Sequence, residues 1–280
     1  MTLITLKDIL KPAREEKYAV GSFNILDIQM IRGVIEGAEE EHSPVILAFG
    51  DIHSKIVNFD IIFPLMVKMA KKAKIPVAVI LDHGMSFQSN MIALKYGATG
   101  VMFDGSSLPY EQNAKKTKEI VKIAHSLGVS VEAEIGHVAV DKNKEKEIYT
   151  DPIEALNFME ETNVDALAIS IGTAHGICLK KPQLDFDRLE KINEISDIPL
   201  VLHGGSGVSD EDFRKCIENG ISKINFFSRN SHAIAEYLRK KLNGMGNEPY
   251  YQDLVQLVRD SCKAKVKEKI RVFGSNNRIL

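Results

Sequence analysis

Short apolar runs rich in β-branched residues alternate along this chain with longer stretches whose apolar positions recur at helical spacing. An amphipathic opener over residues 6–16 is followed by a strand pattern at 18–23 and a helix pattern at 28–41. The pair then recurs: 44–48 with 59–72, 76–81 with 87–96, 99–103 with 110–127, 129–135 with 152–161, 164–171 with 187–195, 198–202 with 210–219, and 221–226 with 231–242. Eight strand-then-helix units with no break in composition predict an α/β chain of one domain, 1–280, closed into a (β/α)8 TIM barrel rather than a doubly wound sheet. A charged stretch at 250–269 adds a C-terminal helix. It reads equally as a solvated helix packed on the barrel exterior or as an element of subunit contact or site closure.

Composition narrows the function classes. With 44% hydrophobic residues there is ample material for a large core, and a formal net charge of -2 offers no broad basic field for a nucleic-acid backbone. No apolar run approaches the ~18 residues of a membrane span, and the N-terminal residues lack a basic-then-apolar targeting pattern. Cys178, Cys216 and Cys262 are far apart and odd in number, which argues against a disulfide framework. The expectation is a cytoplasmic protein acting on a small molecule.

In barrels of this class chemistry gathers where strands end. The third strand runs into Asp82-His83-Gly84, the fourth into Asp104-Gly105-Ser106, and the fifth carries Glu132 and Glu134. The sixth leads to Gly172-Thr173-Ala174-His175-Gly176, the seventh to His203-Gly204-Gly205-Ser206, and the eighth bears Asn225. Taken singly, a histidine at a strand end is most often a hydrogen-bonding loop residue, and Asp-Gly is ordinary turn chemistry. Jointly, His83, His175 and His203 could converge on one ion and leave a coordination position open, as a catalytic zinc requires. The other histidines lack this pattern: His42 and His125 sit at helix ends, His232 within a helix, His53 after the second strand, and His137 reads as a non-ligand. Strand alternation makes the Asp82 and His83 side chains diverge, so Asp82 is expected as an acid/base beside the metal rather than a ligand. Asp104 and Glu134 supply oxygen donors for a second cation or an alternative metal position.

An anion site is expected separately. Gly176, the Gly204-Gly205-Ser206 turn and the turn from Asn225 to Ser228 present backbone N–H groups and hydroxyls at the ends of strands six to eight, with Lys180 near to supply charge. Tight-turn geometry alone is the plain alternative for such glycines. A metal beside a phosphate pocket suggests a phosphorylated substrate whose oxygen the metal polarises.

With these residues laid out, the chain resembles the class II, zinc-dependent ketose-bisphosphate aldolases, closest to the tagatose-bisphosphate and fructose-bisphosphate enzymes. The motifs that carry the resemblance span nearly the whole chain: Val20-Gly-Ser-Phe-Asn24, Ser43-Pro-Val-Ile-Leu47, Leu81-Asp-His-Gly84, Val131-Glu-Ala-Glu-Ile-Gly136, Ala166-Leu-Ala-Ile-Ser-Ile-Gly-Thr-Ala-His-Gly176, Pro199-Leu-Val-Leu-His-Gly-Gly-Ser-Gly207 and Gly274-Ser-Asn-Asn-Arg278. The resemblance implies zinc on His83, His175 and His203, Asp82 as proton shuttle, and Asp104 and Glu134 at the alternative or second cation position, divalent or monovalent. It implies Asn24, Gly176, Lys180, Gly204, Gly205, Ser206, Asn225 and Ser228 around a dihydroxyacetone-phosphate moiety. The activity implied is reversible cleavage of a ketose 1,6-bisphosphate to dihydroxyacetone phosphate and glyceraldehyde 3-phosphate, by a homodimer or homotetramer. Three places depart from the family pattern. The loop after Gly136 is short and lysine-rich, with Asp141 and Glu145 as candidate bases; Arg229 stands where relatives carry an acid; and Gly50 stands where they carry a substrate-contacting Ser or Thr. These leave open a shifted sugar-phosphate substrate, a metal-dependent sugar-phosphate epimerase or isomerase, and a non-catalytic sugar-phosphate-binding relative.

Overall fold

A computed structural model describes residues 2–138, 149–176, 182–245 and 250–279. Eight parallel strands close on themselves in chain order: β1 Val20–Asn24, β2 Val45–Gly50, β3 Val77–Gly84, β4 Gly100–Phe103, β5 Ser130–Ile135, β6 Ala166–Ile169, β7 Leu200–Leu202 and β8 Ile221–Asn225. Around them run α1 Leu6–Glu15, α2 Ile28–Glu40, α3 Phe59–Ala70, α4 Phe87–Lys95, α5 Tyr110–Ser126, α6 Pro152–Thr162, α7 Phe186–Ile195, α8 Asp210–Glu218, α9 Ser228–Gly244 and α10 Tyr251–Phe273. Local chemistry starts many of them. The Asp27 carboxylate accepts from the Gln29 and Met30 amides at α2, Ser86 and Ser89 form a reciprocal box at α4, and Asp151, Asp185 and Ser209 cap α6, α7 and α8. No helix among the described residues is long and apolar enough to cross a membrane.

The barrel interior divides into two layers, and the division positions the site. At its N-terminal end Val20, Ile46, Ala48, Ala78, Ile80, Ala166, Ala168 and Val201 point inward and pack on Leu6, Ile9, Leu10 and Ala13 of α1, which plugs that end with hydrocarbon. Stepping two residues along the same strands, the period at which a side chain returns to one face, replaces this apolar set with Ser22, Asn24, Gly50, Asp82, Ser170 and His203. β5 and β8 add Glu132, Glu134, Lys223 and Asn225, all buried. Polar chemistry therefore collects at the C-terminal mouth. The larger core lies between the strands' outward faces and the helices.

Three features differ from the sequence-based expectation. β3 runs on through Gly84, so Asp82 and His83 lie inside a paired strand. α9 begins at Ser228, which makes Ser228 and Arg229 the first turn of a helix. α10 does pack on the barrel exterior, but through a stripe its charged sequence conceals: Cys262, Val266, Ile270 and Phe273 are buried, and its backbone lies close against α2. Two glycines four apart on α2 permit that approach, because a Cβ at Gly33 would stand 2.8 Å from the Arg259 carbonyl oxygen and one at Gly37 3.1 Å from that of Lys263. Gly33→Val is accordingly expected to cost about 1–3 kcal/mol by overpacking, seen as a lower urea midpoint with an unchanged m-value. An unchanged midpoint would show that the helices separate freely.

Candidate active site at the C-terminal mouth

His83 reaches the site through a break in strand geometry. Its φ is 47°, in the left-handed region, and the β3–β4 register shifts between Leu81 and Gly84. The next residue must be glycine, since a Cβ there would stand 2.4 Å from the Met102 carbonyl oxygen. The bulge corrects the expected divergence: Asp82 keeps its inward direction while the His83 ring swings into the same mouth.

Three imidazoles meet there. The ring centroids of His83 and His203 are 4.6 Å apart, those of His83 and His175 4.9 Å, and those of His175 and His203 6.0 Å. One ligand-capable atom from each lies within 4.8 Å of the other two. His83 Nδ1 is 2.6 Å from Asp104 Oδ2, and its Nε2 is 2.8 Å from His203 Nδ1. His203 Nε2 in turn donates to Glu132 Oε1 at 2.8 Å, a tautomer assignment that leaves Nδ1 as the lone pair facing the centre. His175 Nε2 is buried without a hydrogen-bond partner. That orphan nitrogen, beside two further ring nitrogens, is the chemistry of a three-imidazole metal centre, and the residues fit a zinc-type cation. Asp104 and Glu134 form a second group with His83, again within 4.8 Å, and Glu134 Oε2 is likewise buried and unpartnered.

The charges follow from this packing. Burial would lower the pKa of His83, but the carboxylates of Asp82, Asp104 and Glu134 outweigh it and lift the ring to about 10. Burial and then the His83 charge push His175 down to about 3, and the same order of causes holds His203 well below its ordinary value. Glu134 is raised to about 8, first by burial and then by Asp104. Asp104 moves the other way, because the hydrogen bond and charge of His83 overcome its burial.

Asp82, 4% exposed, has an oxygen for each of two amides: Oδ1 accepts from Asn225 Nδ2 at 2.7 Å and Oδ2 from Asn24 Nδ2 at 2.8 Å. Burial opposes its charge, yet His83, His203, Lys223 and the Asn24 bond together hold its pKa below the usual carboxylate range. Both asparagines thus hold Asp82. Sequence reasoning passed over Lys223 altogether and gave Glu132 no role. They form a fully buried ion pair, with Nζ 2.8 Å from Oε2, and Lys223 also donates to Asn225 Oδ1 at 2.7 Å. One continuous chain of bonds then joins His203, Glu132, Lys223, Asn225 and Asp82.

On the other side of the mouth three turns crowd together. Gly204 has φ 66°, and a Cβ on it would lie 2.7 Å from the backbone of Ala174. Gly205 lies against the Asn225 carbonyl, where a Cβ would be 3.0 Å from the oxygen, and Ser206 Oγ accepts from the Arg229 amide at 3.3 Å. Gly176, with φ 81°, closes the described part of the β6 loop. Ser228 opens α9, which has no side-chain cap, so its first-turn N–H groups face this turn without an intrahelical partner. Lys180, Asp141 and Glu145 lie outside the described residues.

Residues 4–278 match the family model described as fructose-bisphosphate aldolase class-II. The chain belongs to the class-II fructose-bisphosphate aldolase family. Its relatives in that family include the fructose-bisphosphate aldolase of Geobacillus stearothermophilus, 38% identical with 99% of each chain covered, and the Escherichia coli K12 protein YdjI, 37% identical over 95% of each. The crystal structure of the YdjI aldolase superposes with a TM-score of 0.91 at 36% identity, covering 99% of this chain and 100% of that one. The chain is thus an aldolase-family lyase by descent. Of the family resemblance traced in the sequence, the closed barrel and the convergence of strands three, six and seven are present in the structure. His137 belongs to neither candidate ligand group; its Nδ1 is 3.1 Å from Ser106 Oγ, which donates to Asp104 at 2.7 Å.

Proposed function

We propose that the protein catalyses reversible, metal-dependent aldol cleavage of a ketose 1,6-bisphosphate, of the tagatose or fructose series, to dihydroxyacetone phosphate and glyceraldehyde 3-phosphate. The observation that carries the reading is Asp82, an ionised and buried carboxylate held by two amides beside three converging imidazoles. His83, His175 and His203 would hold zinc, and Asp104 with Glu134 a second cation or the same one displaced. When bound, such a cation polarises the C2 carbonyl and stabilises negative charge on the C2–C3 fragment.

The protein's own groups supply the rest. Asp82 takes the C4 hydroxyl proton as the C3–C4 bond breaks, C4 with its oxygen leaves as the aldehyde, and the bonding pair passes to C3, which then takes up one proton to complete dihydroxyacetone phosphate. Asn24 and Asn225 fix the carboxylate throughout, leaving a lone pair on each oxygen for that proton. The Gly204–Ser206 turn, Gly176 and the α9 N-terminus at Ser228 anchor the phosphate of the C1–C3 half through N–H groups and hydroxyls. No lysine Schiff base is needed in this reading: among the described residues the lysine in the mouth, Lys223, is fully buried and committed to Glu132 and Asn225. The same reading makes the protein a cytoplasmic homodimer or homotetramer. Free, buried Cys216 and Cys262, with thiols raised by burial to about 12, suit a reducing compartment.

Coupled assays with tagatose and fructose 1,6-bisphosphates test this directly. Cleavage of at least one is expected, abolished by chelation, restored by zinc, and insensitive to borohydride trapping. Activity that survives exhaustive chelation would sink the metal mechanism.

A further inference from the structure

β2 ends on Gly50, and because Ile46 and Ala48 point into the barrel, a side chain at position 50 would enter the mouth. The place its Cβ would occupy lies 3.1 Å from His53 Nδ1 and 3.2 Å from Asn24 Nδ2. A short 3-10 segment, Asp51–Lys55, folds His53 back over the strand end, and its ring is held between Phe49 and Phe227, with centroids 6.3 and 4.7 Å away. The Asp51 carboxylate accepts from the Met85 amide at 2.8 Å, which ties this segment to the end of β3. His53 Nδ1 is buried and has no hydrogen-bond partner, an arrangement a protein rarely keeps without use. Asn24 Nδ2 gives one hydrogen to Asp82 and has a second to give.

The two oxygens of Asp82 divide the mouth. Oδ1 leads through Asn225 to His203, whose ring is 3.4 Å from the Asn225 amide, and so to the imidazole centre. Oδ2 leads through Asn24 to Gly50 and His53. If the C2–C3 half of the substrate occupies the first side, the carbons beyond the cleaved bond fall on the second.

We propose that His53 is a substrate-contacting, specificity-determining residue: its imidazole occupies the place of a side-chain hydroxyl at position 50 and, with Asn24, hydrogen-bonds an oxygen of the aldehyde half, the ring turning to admit it. This rests on the aldol reading of the site. Burial keeps the ring's pKa below its ordinary value against the pull of the Asp82 charge, so a neutral imidazole meets the substrate near pH 7.

The test separates the two halves of the reaction. Cleavage kinetics with tagatose and fructose 1,6-bisphosphates are compared with exchange of the C3 proton of dihydroxyacetone phosphate into deuterated water, followed by NMR; exchange needs no aldehyde half. His53→Ala is expected to raise KM for cleavage about tenfold, the scale of one lost hydrogen bond, while exchange changes by no more than about twofold. Adding Gly50→Ser to His53→Ala is expected to recover a substantial part of the loss, since a hydroxyl then returns to the vacated place. His53→Leu, which keeps much of the bulk but has no hydrogen-bonding group, carries the same comparison should the alanine variant not fold. A parallel fall in cleavage and exchange, or an unmoved KM, overturns the assignment. An unsubstituted enzyme that neither cleaves nor exchanges overturns the aldol reading itself, and this assignment with it, before any variant is made.

Discussion

Asp82→Ala is expected to lower kcat for ketose-bisphosphate cleavage by about 10²–10⁴-fold, the usual worth of a positioned acid/base, while zinc stoichiometry stays that of the unsubstituted protein. The split follows from geometry. Asp82 bonds to Asn24 and Asn225 and stands beside the imidazole centre without belonging to either candidate ligand group. The substitution also strands two buried amide donors, each costing about 1–3 kcal/mol, so a lower melting temperature should accompany the loss of rate. Asp82→Asn separates the two effects: it keeps the volume and one acceptor but cannot take a proton, and it should be as slow as the alanine variant. The pH dependence carries a sign. A carboxyl held below its ordinary pKa stays ionised as pH falls through the usual carboxylate range, so the base is not lost there, and an acid limb at higher pH must arise from other groups. Near-normal turnover in either variant would remove Asp82 from the mechanism.

How much of this was legible beforehand depends on whether a local rule carried the information. The eight units were legible because strands buried on both faces read as apolar runs and the helices between them as amphipathic periods. His83, His175 and His203 were legible as strand ends, but their manner of convergence was not. Alternation sends residues 82 and 83 apart, and only the left-handed His83, pressed on by the Gly84–Met102 approach from the neighbouring strand, brings them together. Lys223 escaped notice because a lysine in an apolar strand reads as solvent-facing unless its partner is known. That partner, Glu132, is 91 positions away, although the shared parity of Lys223 with Asn225 and of Glu132 with Glu134 was a usable signal. Phe226 prolonged the apparent eighth strand by one residue, and reading 225–228 as a turn hid the start of α9 at Ser228. On α10 the abundance of charge concealed a buried stripe, whose packing depends on two small residues of a distant helix.

The Glu132–Lys223 pair places a full charge of each sign where neither touches water. Such a pair is weak support for stability, because the desolvation of both ions opposes their attraction. Its consequence here is positional. Glu132 fixes the His203 ring by its Nε2–H, and Lys223 fixes Asn225, which fixes Asp82, so the proposed proton carrier and a proposed ligand are aligned by one shared network.

His203→Ala removes one of three converging nitrogens and should abolish high-affinity zinc binding, and with it cleavage to below about one part in 10³, because the remaining groups no longer neutralise the developing charge. In the unsubstituted protein, binding should be coupled to protons in a defined direction. His83 donates to Asp104 from Nδ1, its Nε2 is 2.8 Å from the lone pair on His203 Nδ1, and a pKa near 10 keeps a proton between those two rings at pH 7. His175, near 3, and His203 are already neutral. A cation that takes both His83 Nε2 and His203 Nδ1 must therefore expel about one proton, and its apparent affinity should rise about tenfold per pH unit from neutrality toward pH 10. Calorimetric titration of zinc in buffers of differing ionisation enthalpy measures that proton count. Proton-neutral binding, or zinc held as tightly by His203→Ala as by the unsubstituted chain, would show that the cation sits elsewhere than among these three rings.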